Sequence, residues 1–299
     1  MEDIRTDAAE VAEDRRNFQL ISKSAFWMQP IQVIAPKPTR HYHYHDCYEL
    51  YYLYSGERYY FIKDKSYHVT EGSLVLVNAY DIHATTNSES FGYKRLLINF
   101  KKAFLAPFLN ILSDADPLWH YGKTSPVLTL TPAQRQYVEA LFEQMLTVYH
   151  TQDEGWLLFL QTSLLQLLLF IRSHQTPLAD KSGEYLNAAH KTISQVSGYI
   201  NNHYAEPMTL QTISERFYIS PYYFSRTFKQ ITGFTFIEYL NGVRIKEAQK
   251  LLRKTNLSIG KIAESVGYQN NTHFGRLFKK ASGISPLAYR KQCSGENAF

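Results

Sequence analysis

The sequence predicts an α+β protein with two domains: an N-terminal β-barrel with a helical segment, then a C-terminal domain made only of helices. Three observations lead to this prediction. Short β-prone runs separated by turn residues fill the region up to residue 100, helical periodicity begins after Pro107, and a helical motif repeats near the C-terminus. A chain of 299 residues with 44% hydrophobic residues is long and apolar enough for two folded cores.

The charges are unevenly distributed along the chain. Residues 190–299 contain 15 Lys and Arg against 6 Asp and Glu, a net charge of +9, whereas residues 1–189 carry a net charge of −4. A basic C-terminal part predicts a polyanion as its partner. The 2 cysteines cannot form a disulfide framework and residues 1–17 are too polar for a signal peptide, so we expect a cytoplasmic protein with a flexible tail over residues 1–17.

Residues 18–174 are expected to form the barrel domain. Strands are predicted at Glu49–Tyr54, Arg58–Ile62, Tyr67–Thr70, Ser73–Val77 and Lys94–Phe100. Several closely spaced short strands indicate a sandwich or barrel. A helix is predicted to begin at Pro132 with Thr131 as its N-cap, and a second helix runs from about Asp153 to His174.

The second of these helices carries a leucine stripe from Leu157 to Ile171, which we expect to form the contact of a homodimer. This apolar run is interrupted by polar residues and is shorter than a membrane span needs, so no membrane association is expected. The polar segment 175–189 contains Pro177 and Gly183 and is predicted to be an interdomain linker to residues 190–299.

A repeated motif is the most informative feature of the C-terminal part. The sequence Phe-Ser-Arg-Thr-Phe-Lys at Phe224–Lys229 recurs 50 residues later as Phe-Gly-Arg-Leu-Phe-Lys at Phe274–Lys279, and Gly233 and Gly283 follow at the same spacing. Phenylalanines four residues apart share one helix face, so both can be buried while the arginine between them points away. The glycines fit left-handed helix C-caps.

Each repeated helix has a start signal and a shorter helix before it. The starts are at Ser220-Pro221 and Asn270, and the shorter helices are predicted over Thr209–Phe217 and Ser258–Val266. A short helix, a tight turn and a longer helix with an exposed arginine form a helix-turn-helix, here present twice. An ordinary helical bundle is the alternative, but packing alone does not explain two matched copies and a charge of +9.

Residues from about Thr192 to Arg290 resemble the DNA-binding domain of the AraC/XylS family. The resemblance rests on Ala248, Leu251, Leu252, Ser258, Ile259, Ile262, Ala263, Gly267, Tyr268, Phe274, Arg276, Phe278, Lys279, Lys280, Gly283, Ser285, Pro286, Tyr289 and Arg290. It implies two helix-turn-helix units joined by a central helix, about Phe236–Arg253. It also implies a transcription activator that binds double-stranded promoter DNA and, as in most relatives, recruits RNA polymerase.

Residues near the start of each second helix are expected to contact DNA bases, and the resemblance implies the same positions. These residues are Tyr222, Ser225 and Arg226 in the first unit, and Asn271, Thr272 and Arg276 in the second. The arginines suit guanine, the asparagine suits adenine, and the threonine suits a thymine methyl group. Since Gly275 has no side chain, the second unit is expected to contact fewer bases. Lys229, Lys279 and Lys280 are expected to contact phosphates.

The N-terminal region, over roughly residues 35–100, resembles the two motifs of the cupin barrel. The matching residues are His43, His45, Glu49 and Gly56 in the first motif, and Gly72, His83 and Asn87 in the second. Three positions depart from the pattern: Lys37 replaces the opening glycine, and Asn78 and Tyr80 stand where proline and glycine are usual. The resemblance implies a cupin-like β-barrel.

Two interpretations of this barrel compete. In cupin enzymes the positions of His43, His45, Glu49 and His83 bind a divalent metal, and such a set suits Fe, Mn, Ni or Zn. We expect no metal and no cofactor, because AraC-type sensor domains commonly keep such residues without one. Instead, these four residues and Arg40 are expected to line a pocket for a small polar effector, such as a carbohydrate.

The sequence therefore predicts a sequence-specific transcriptional regulator that responds to a small molecule, and not an enzyme. There is no G-x-S-x-G motif, no P-loop and no C-x-x-C motif. Two alternatives remain open at this point. One is a metal-dependent cupin enzyme fused to a DNA-binding domain, and the other is a constitutive regulator whose barrel only dimerises.

Overall fold

The computed structural model describes residues 25–34, 41–43, 45–87, 92–109, 118, 125–174 and 188–296. The predicted flexible tail, residues 1–17, and residues 175–187 of the predicted linker lie outside these ranges. A helix begins at Ala188, so the last two residues of the predicted linker 175–189 are helical.

The N-terminal part contains two antiparallel sheets. Their strands are β1 (Phe26–Val33), β2 (His41–His43), β3 (Tyr48–Ser55), β4 (Glu57–Ile62), β5 (Lys65–Thr70), β6 (Ser73–Val77), β7 (His83–Asn87), β8 (Tyr93–Phe100) and β9 (Val127–Thr129). One sheet has the order β1-β8-β3-β6-β9 and the other has the order β2-β7-β4-β5. The predicted two-domain α+β class, with an antiparallel β-domain first, is confirmed.

All five predicted strands are present, as β3, β4, β5, β6 and β8, whereas β1, β2, β7 and β9 are not among the predicted strands. Strand β1 contains Pro30, which cannot donate a hydrogen bond to a neighbouring strand. The structure accommodates this proline because β1 lies at the edge of its sheet. Strand β7, with the sequence His-Ala-Thr-Thr-Asn, lacks the alternating apolar residues by which a half-buried strand is recognised.

The five-stranded sheet is covered on both faces, as strand β3 illustrates. Leu50 and Tyr52 lie in the core formed with the N-terminal helices, whereas Tyr51 and Leu53 lie in the core between the two sheets. This division follows from the alternation of side chains along a strand. The odd-numbered residues of β3 therefore line the interior of the barrel, where the candidate effector site lies.

The helices that cover the outer face follow the barrel strands. A 3₁₀ turn at Lys102–Leu105 leads into α1 (Ala106–Leu109), and then come α2 (Pro132–Thr151) and α3 (Trp156–His174). Thr131 caps α2 as predicted, because its side chain accepts a hydrogen bond from the Gln134 amide while the Gln134 side chain accepts one from the Thr131 amide.

The prediction that the leucine stripe of α3 forms a dimer contact is wrong for most of its residues. Four of them are fully buried in the core of their own domain: Leu160, Leu164, Leu168 and Ile171. They pack against the outer face of the sheet, whereas Leu157, the first residue of the stripe, is exposed. By length and composition alone α3 could cross a membrane, but a helix buried in a protein core passes the same test.

The C-terminal domain is helical throughout its described residues. Its helices are α4 (Ala188–His203), α5 (Leu210–Arg216), α6 (Pro221–Thr232), α7 (Phe236–Lys254), α8 (Ile259–Ser265), α9 (Asn271–Ser282) and α10 (Pro286–Glu296). The central helix α7 ends one residue beyond the predicted boundary.

The segment between β6 and β7, together with the start of β7, is one place where the barrel is docked on this helical domain. Ile82 and Ala84 belong to the same hydrophobic cluster as the core of the first helix-turn-helix unit. Asp81 accepts a hydrogen bond from Lys246 on α7, at 2.8 Å. The Tyr289 hydroxyl on α10 donates a hydrogen bond to the Tyr80 hydroxyl, at 3.1 Å. One short segment of the barrel therefore contacts both halves of the helical domain.

Candidate DNA-binding surface and effector site

The first helix-turn-helix unit consists of α5 and α6. Ser220 caps α6 by accepting a hydrogen bond from the Tyr223 amide, and Pro221 occupies the first turn. Phe224 and Phe228 are fully buried, so the opposite face of α6 is left to solvent. Helix α6 ends at Gly233, whose φ of 79° is the left-handed conformation predicted for a C-cap glycine.

The second unit, α8 and α9, repeats this construction. The Asn270 side chain caps α9 by accepting a hydrogen bond from the His273 amide, at 2.9 Å. Phe274 and Phe278 are fully buried and Gly283 has a φ of 75°. The predicted pair of matched helix-turn-helix units is confirmed down to these caps.

The candidate DNA contacts of both units are exposed. Those expected to face bases are Tyr222, Ser225 and Arg226 on α6, and Asn271, Thr272 and Arg276 on α9. Those expected to face phosphates are Lys229, Lys279 and Lys280, which are also exposed. A Cβ atom at Gly275 would meet nothing within 4 Å, so the lack of a side chain there is not enforced by packing. The barrel leaves both recognition surfaces accessible.

Sequence reasoning missed Tyr218, in the turn of the first unit. Its side chain is 95% exposed and its φ is 55°, in the left-handed region that non-glycine residues rarely adopt. The corresponding turn of the second unit has Gly267 in the same conformation, with a φ of 91°. A comparison of the two turns in the sequence would have revealed this exchange of glycine for tyrosine. Backbone strain at an exposed aromatic residue points to a functional role.

The barrel interior contains a cluster around Glu49. Its Oε2 atom lies 3.2 Å from His45 Nε2 and 3.5 Å from His83 Nε2, and its Oε1 accepts a hydrogen bond of 2.5 Å from the Tyr60 hydroxyl. His45, Glu49 and His83 are all buried. The structure thus brings together three of the predicted pocket residues and adds Tyr60, which the sequence did not single out.

Burial and charge oppose each other in this cluster. Burial would raise the pKa of Glu49, but the positive charge of His83 and hydrogen bonds from both histidines outweigh it and hold that pKa well below its ordinary value. Conversely, burial would lower the pKa of His83, but the charge of Glu49 and its hydrogen bond raise it. Both effects favour an ionised carboxylate next to a charged imidazole.

The donor set fits a divalent transition metal. The ligand atoms of His45, Glu49 and His83 lie within 4.8 Å of one another. His45 Nδ1 contacts the Cys47 carbonyl oxygen at 2.9 Å, and His83 Nδ1 contacts that of Asp81 at 2.8 Å. These contacts direct both Nε2 atoms at Glu49, as backbone carbonyls do for metal-binding histidines. Without a metal, Glu49 is still held by the His45 Nε2 contact at 3.2 Å and by the Tyr60 hydroxyl, whereas His83 Nε2 lies 3.5 Å from the carboxylate as an ion pair.

Two other predicted pocket residues cannot be placed in the cluster. Arg40 and the side chain of His43 lie outside the described residues, although the backbone of His43 pairs with that of His83. His43, His45 and Glu49 do not lie on a single strand. Strand β2 ends at His43 and β3 begins at Tyr48, so His45 lies in the connection between them.

The cluster is connected to the segment that touches the helical domain. The Tyr80 amide donates a hydrogen bond to the His45 carbonyl oxygen, at 2.8 Å. Tyr80 has a φ of 66°, which suits the glycine usual at this position in cupin motifs. Its side chain instead lies under the Arg253 guanidinium, 4.4 Å from the ring centre. The departure from the cupin pattern at Tyr80 is therefore a contact with the helical domain.

Two family models match the chain. The model for the AraC-like ligand binding domain matches residues 14–168, more than half of the chain, and a model for a helix-turn-helix domain matches residues 213–292. The protein belongs to the AraC family of transcriptional regulators. The first of these models covers the barrel with α2 and most of α3, and the second covers both helix-turn-helix units.

Named relatives agree with the AraC assignment. The chain is 37% identical over 107 residues to the bifunctional transcriptional activator/DNA repair enzyme AdaA of Bacillus subtilis, which covers 36% of this chain and 51% of that protein. It is 25% identical over 249 residues to the transcriptional activator RhaS of an Enterobacter species, covering 83% and 87% of the two chains. The match thus spans only about half the length of AdaA.

Solved structures also match the chain. The C-terminal domain of AraT, a response regulator from Geobacillus stearothermophilus, is 37% identical, with a TM-score of 0.34 and coverage of 36% of this chain and 88% of that one. ToxT from Vibrio cholerae is 13% identical, with a TM-score of 0.36, and the match covers 91% of this chain and 100% of that one.

Proposed function

We propose that this AraC-family protein is a transcription activator that binds promoter DNA through both helix-turn-helix units and responds to a small polar effector in its barrel. One observation carries the proposal: two matched units leave their base-facing side chains exposed while a domain with a polar interior is docked on them. The names of RhaS and AdaA, both activators, support activation. We propose further that the DNA-bound protein recruits RNA polymerase.

The two recognition helices have separate roles in the proposal. Helix α6 contacts bases through Tyr222, Ser225 and Arg226, and helix α9 does so through Asn271, Thr272 and Arg276. The lysines Lys229, Lys279 and Lys280 bind phosphates and set the register of the protein on the duplex. A single chain then covers two successive major-groove segments about 34 Å apart.

Effector control requires that the ligand bind two arrangements of the domains with different affinity. The segment Asn78–His83 is the proposed connection, since it is bonded to the pocket through His45 and His83 and to the helical domain through Tyr80 and Asp81. A ligand that displaces the ring of His83 changes the position of Asp81, and with it the contact to Lys246.

We propose that the chain has two functional domains and acts as a homodimer. The sensor domain comprises residues 18–174 and the DNA-binding domain residues 190–299. Two chains form a homodimer through the N-terminal helices, where Leu157 and Leu158 are exposed. The protein acts in the cytoplasm and is not an enzyme, in line with relatives that are mostly named as transcriptional regulators.

Selection of genomic DNA fragments by the purified protein at near-physiological salt, followed by sequencing, tests the proposal. We expect a recurring motif with two half-elements about one helical turn apart. If the full chain recovers no motif, residues 190–299 alone are tested, because an unliganded barrel can suppress binding. A second failure would contradict sequence-specific DNA binding.

A metal-dependent enzyme fused to a DNA-binding domain is a second candidate, favoured by the arrangement of His45, Glu49 and His83. Metal analysis of protein purified without a histidine tag separates the two candidates. One transition metal per chain, lost in Glu49→Gln, would support the second candidate. Less than a tenth of an equivalent, roughly, would favour the effector pocket.

A further inference from the structure

Hydrogen-bond donors on one wall of the barrel interior lack acceptors. Tyr51 Oη, Arg95 Nη1 and Asn99 Nδ2 are buried and have no hydrogen-bond partner among the residues that the structure describes. Cys47 Sγ donates to Asn99 Oδ1 at 3.6 Å, and this contact orients the amide so that Nδ2 is the group left over. Because buried polar groups are nearly always satisfied, three such donors indicate a ligand that carries acceptors.

These donors belong to neighbouring strands of the same sheet. Tyr51 lies on β3 opposite Leu97 of β8. Arg95 is two residues before Leu97 on β8, and Asn99 is two residues after it. Alternation therefore places all three side chains on the interior face. The Arg95 guanidinium carbon is 5.7 Å from the centre of the Tyr51 ring. Arg95 and Tyr93 are only partly buried, so this end of the barrel is open to solvent.

The charges around this wall are predominantly positive. The Arg58 side chain is almost fully buried, and its guanidinium carbon lies 4.2 Å from the centre of the Tyr93 ring. Burial raises the pKa of Tyr51 to about 12, although the positive charges of Arg58 and Arg95 act in the opposite direction. The buried carboxylate of Glu49 is already paired with His45 and His83. A ligand anion near Arg95 would balance the excess positive charge.

We propose that the barrel binds a small hydroxylated oxyanion, a sugar acid or a sugar phosphate, with Arg95 and Tyr51 holding the anionic group and Asn99 a hydroxyl group. Guanidinium groups match the geometry of carboxylates and phosphates, whereas neutral donors suit hydroxyl oxygens. This inference rests on the proposed effector-binding function of the barrel and narrows its ligand from polar molecules in general to anions.

A first test needs no ligand. Buried donors that serve only to bind a ligand destabilise the ligand-free protein. Arg95→Met and Tyr51→Phe are therefore expected to leave the thermal unfolding midpoint of the ligand-free protein unchanged or to raise it. Lys94→Met is the matched control, since Lys94 adjoins Arg95 on the same strand but lies 5.0 Å from the Tyr54 ring. If both Arg95→Met and Tyr51→Phe lower the midpoint by more than the control does, these groups have a structural role and the proposal fails.

The second test measures binding to the full-length chain by calorimetry and by thermal shift, with gluconate, glucose 6-phosphate and glucose as probes. We expect one of the two anions to raise the unfolding midpoint, with at least tenfold weaker binding in Arg95→Gln and Tyr51→Phe and unchanged binding in Lys94→Gln. A preference for gluconate assigns a carboxylate, and a preference for the sugar phosphate assigns a phosphate. Equal binding of glucose, equal loss in Lys94→Gln, or no response to either anion would overturn the proposal.

DNA binding measured on the same preparations separates this inference from the proposed function. If the wild-type protein binds specific DNA fragments but neither anion, only the oxyanion site is contradicted. Wild-type protein that binds an anion through Arg95 but selects no DNA motif, even as residues 190–299, contradicts the proposed function and leaves the site standing.

Discussion

Arg276 and Lys279 lie on the same recognition helix, yet we expect their removal to affect DNA binding differently. Arg276→Ala should weaken operator binding and relax specificity at one or two base pairs, by about 1–3 kcal/mol each, because a bidentate contact to guanine is lost. Lys279→Ala should weaken binding to all DNA sequences alike. It should also reduce the slope of log affinity against log salt concentration by about 1, the contribution of one phosphate contact. Fluorescence anisotropy with the operator and its single-base variants, at several salt concentrations, distinguishes the two. Uniform weakening by Arg276→Ala would make that residue a phosphate contact.

Tyr218 offers a residue whose removal should change stability and DNA binding in opposite directions. A non-glycine residue in the left-handed region costs about 1–2 kcal/mol, of which glycine recovers a part, so Tyr218→Gly should stabilise the protein by roughly 1 kcal/mol. Loss of the exposed ring should weaken operator binding severalfold if it touches DNA.

Thermal unfolding and operator titration of the same Tyr218→Gly preparation check both expectations. Tyr222→Ala, at an exposed position of α6 with ordinary helical backbone, is the control that removes a ring without relieving strain. Unchanged operator binding by Tyr218→Gly would show that the strained tyrosine serves some purpose other than DNA contact.

At the residue scale, the sequence could predict only those site residues that a motif in the nearby chain marks. Arg226 and Arg276 were found because a repeat places them, whereas Tyr51 and Arg95 were missed because each is an ordinary residue in a β-strand. Their importance arises from pairing of β3 with β8, which joins positions more than 40 residues apart. Strand alternation alone cannot reveal which distant residues share a wall.

The helix ends of the DNA-binding domain were predictable at the element scale because their signals are local. Serine or asparagine side chains cap the starts of α6 and α9, and glycines follow their ends, as the sequence predicts. Strand β1 was missed because it contains Pro30, and proline is compatible with a strand only at the edge of a sheet, a position that the sequence does not reveal. Capping depends on neighbours in the chain, whereas edge position depends on the whole sheet.

The two C-cap glycines, Gly233 and Gly283, form a natural matched pair for mutation. Both have left-handed backbone, so alanine should cost about 1 kcal/mol at either position. At Gly283 a Cβ atom meets nothing within 4 Å, but at Gly233 it would lie 3.0 Å from the Cβ of Ala84 in the barrel. Gly233→Ala should therefore destabilise the full chain more than Gly283→Ala does.

Denaturant unfolding of the two glycine variants, in the full chain and in residues 190–299 alone, tests this difference. Without the barrel, the two substitutions should have equal effects, since the neighbour of Gly233 is then absent. An equal effect in the full chain would show that the barrel does not rest against the end of α6.

Contacts between the domains could not be predicted from the sequence at the scale of the whole molecule. Phe61, Ile82 and Ala84 are typical interior residues of a barrel, yet they join the core of the helical domain. The polar contacts from Asp81 and Tyr80 give this apolar patch a fixed orientation. A sequence pattern shows that a residue is buried but not which domain buries it.

Lys246 provides the test of this docked arrangement. Its ammonium group bonds Asp81, a carboxylate only slightly exposed, and Asp81 also pairs with Lys63 of the barrel at 3.0 Å. Lys246→Met removes this one polar contact between the domains and keeps the pair within the barrel, so we expect weaker docking by about 1 kcal/mol and a larger radius of gyration in small-angle X-ray scattering. Lys250→Met, one turn further along α7, removes only a pair with Glu247 of the same helix and should leave the radius unchanged.

If the effector acts through the contact between Lys246 and Asp81, Lys246→Met should also reduce the effect of the ligand on operator affinity while leaving ligand binding intact, because coupling and binding are separate free energies. Equal radii for Lys246→Met, Lys250→Met and the wild type would exclude Asp81 as a connection between the domains.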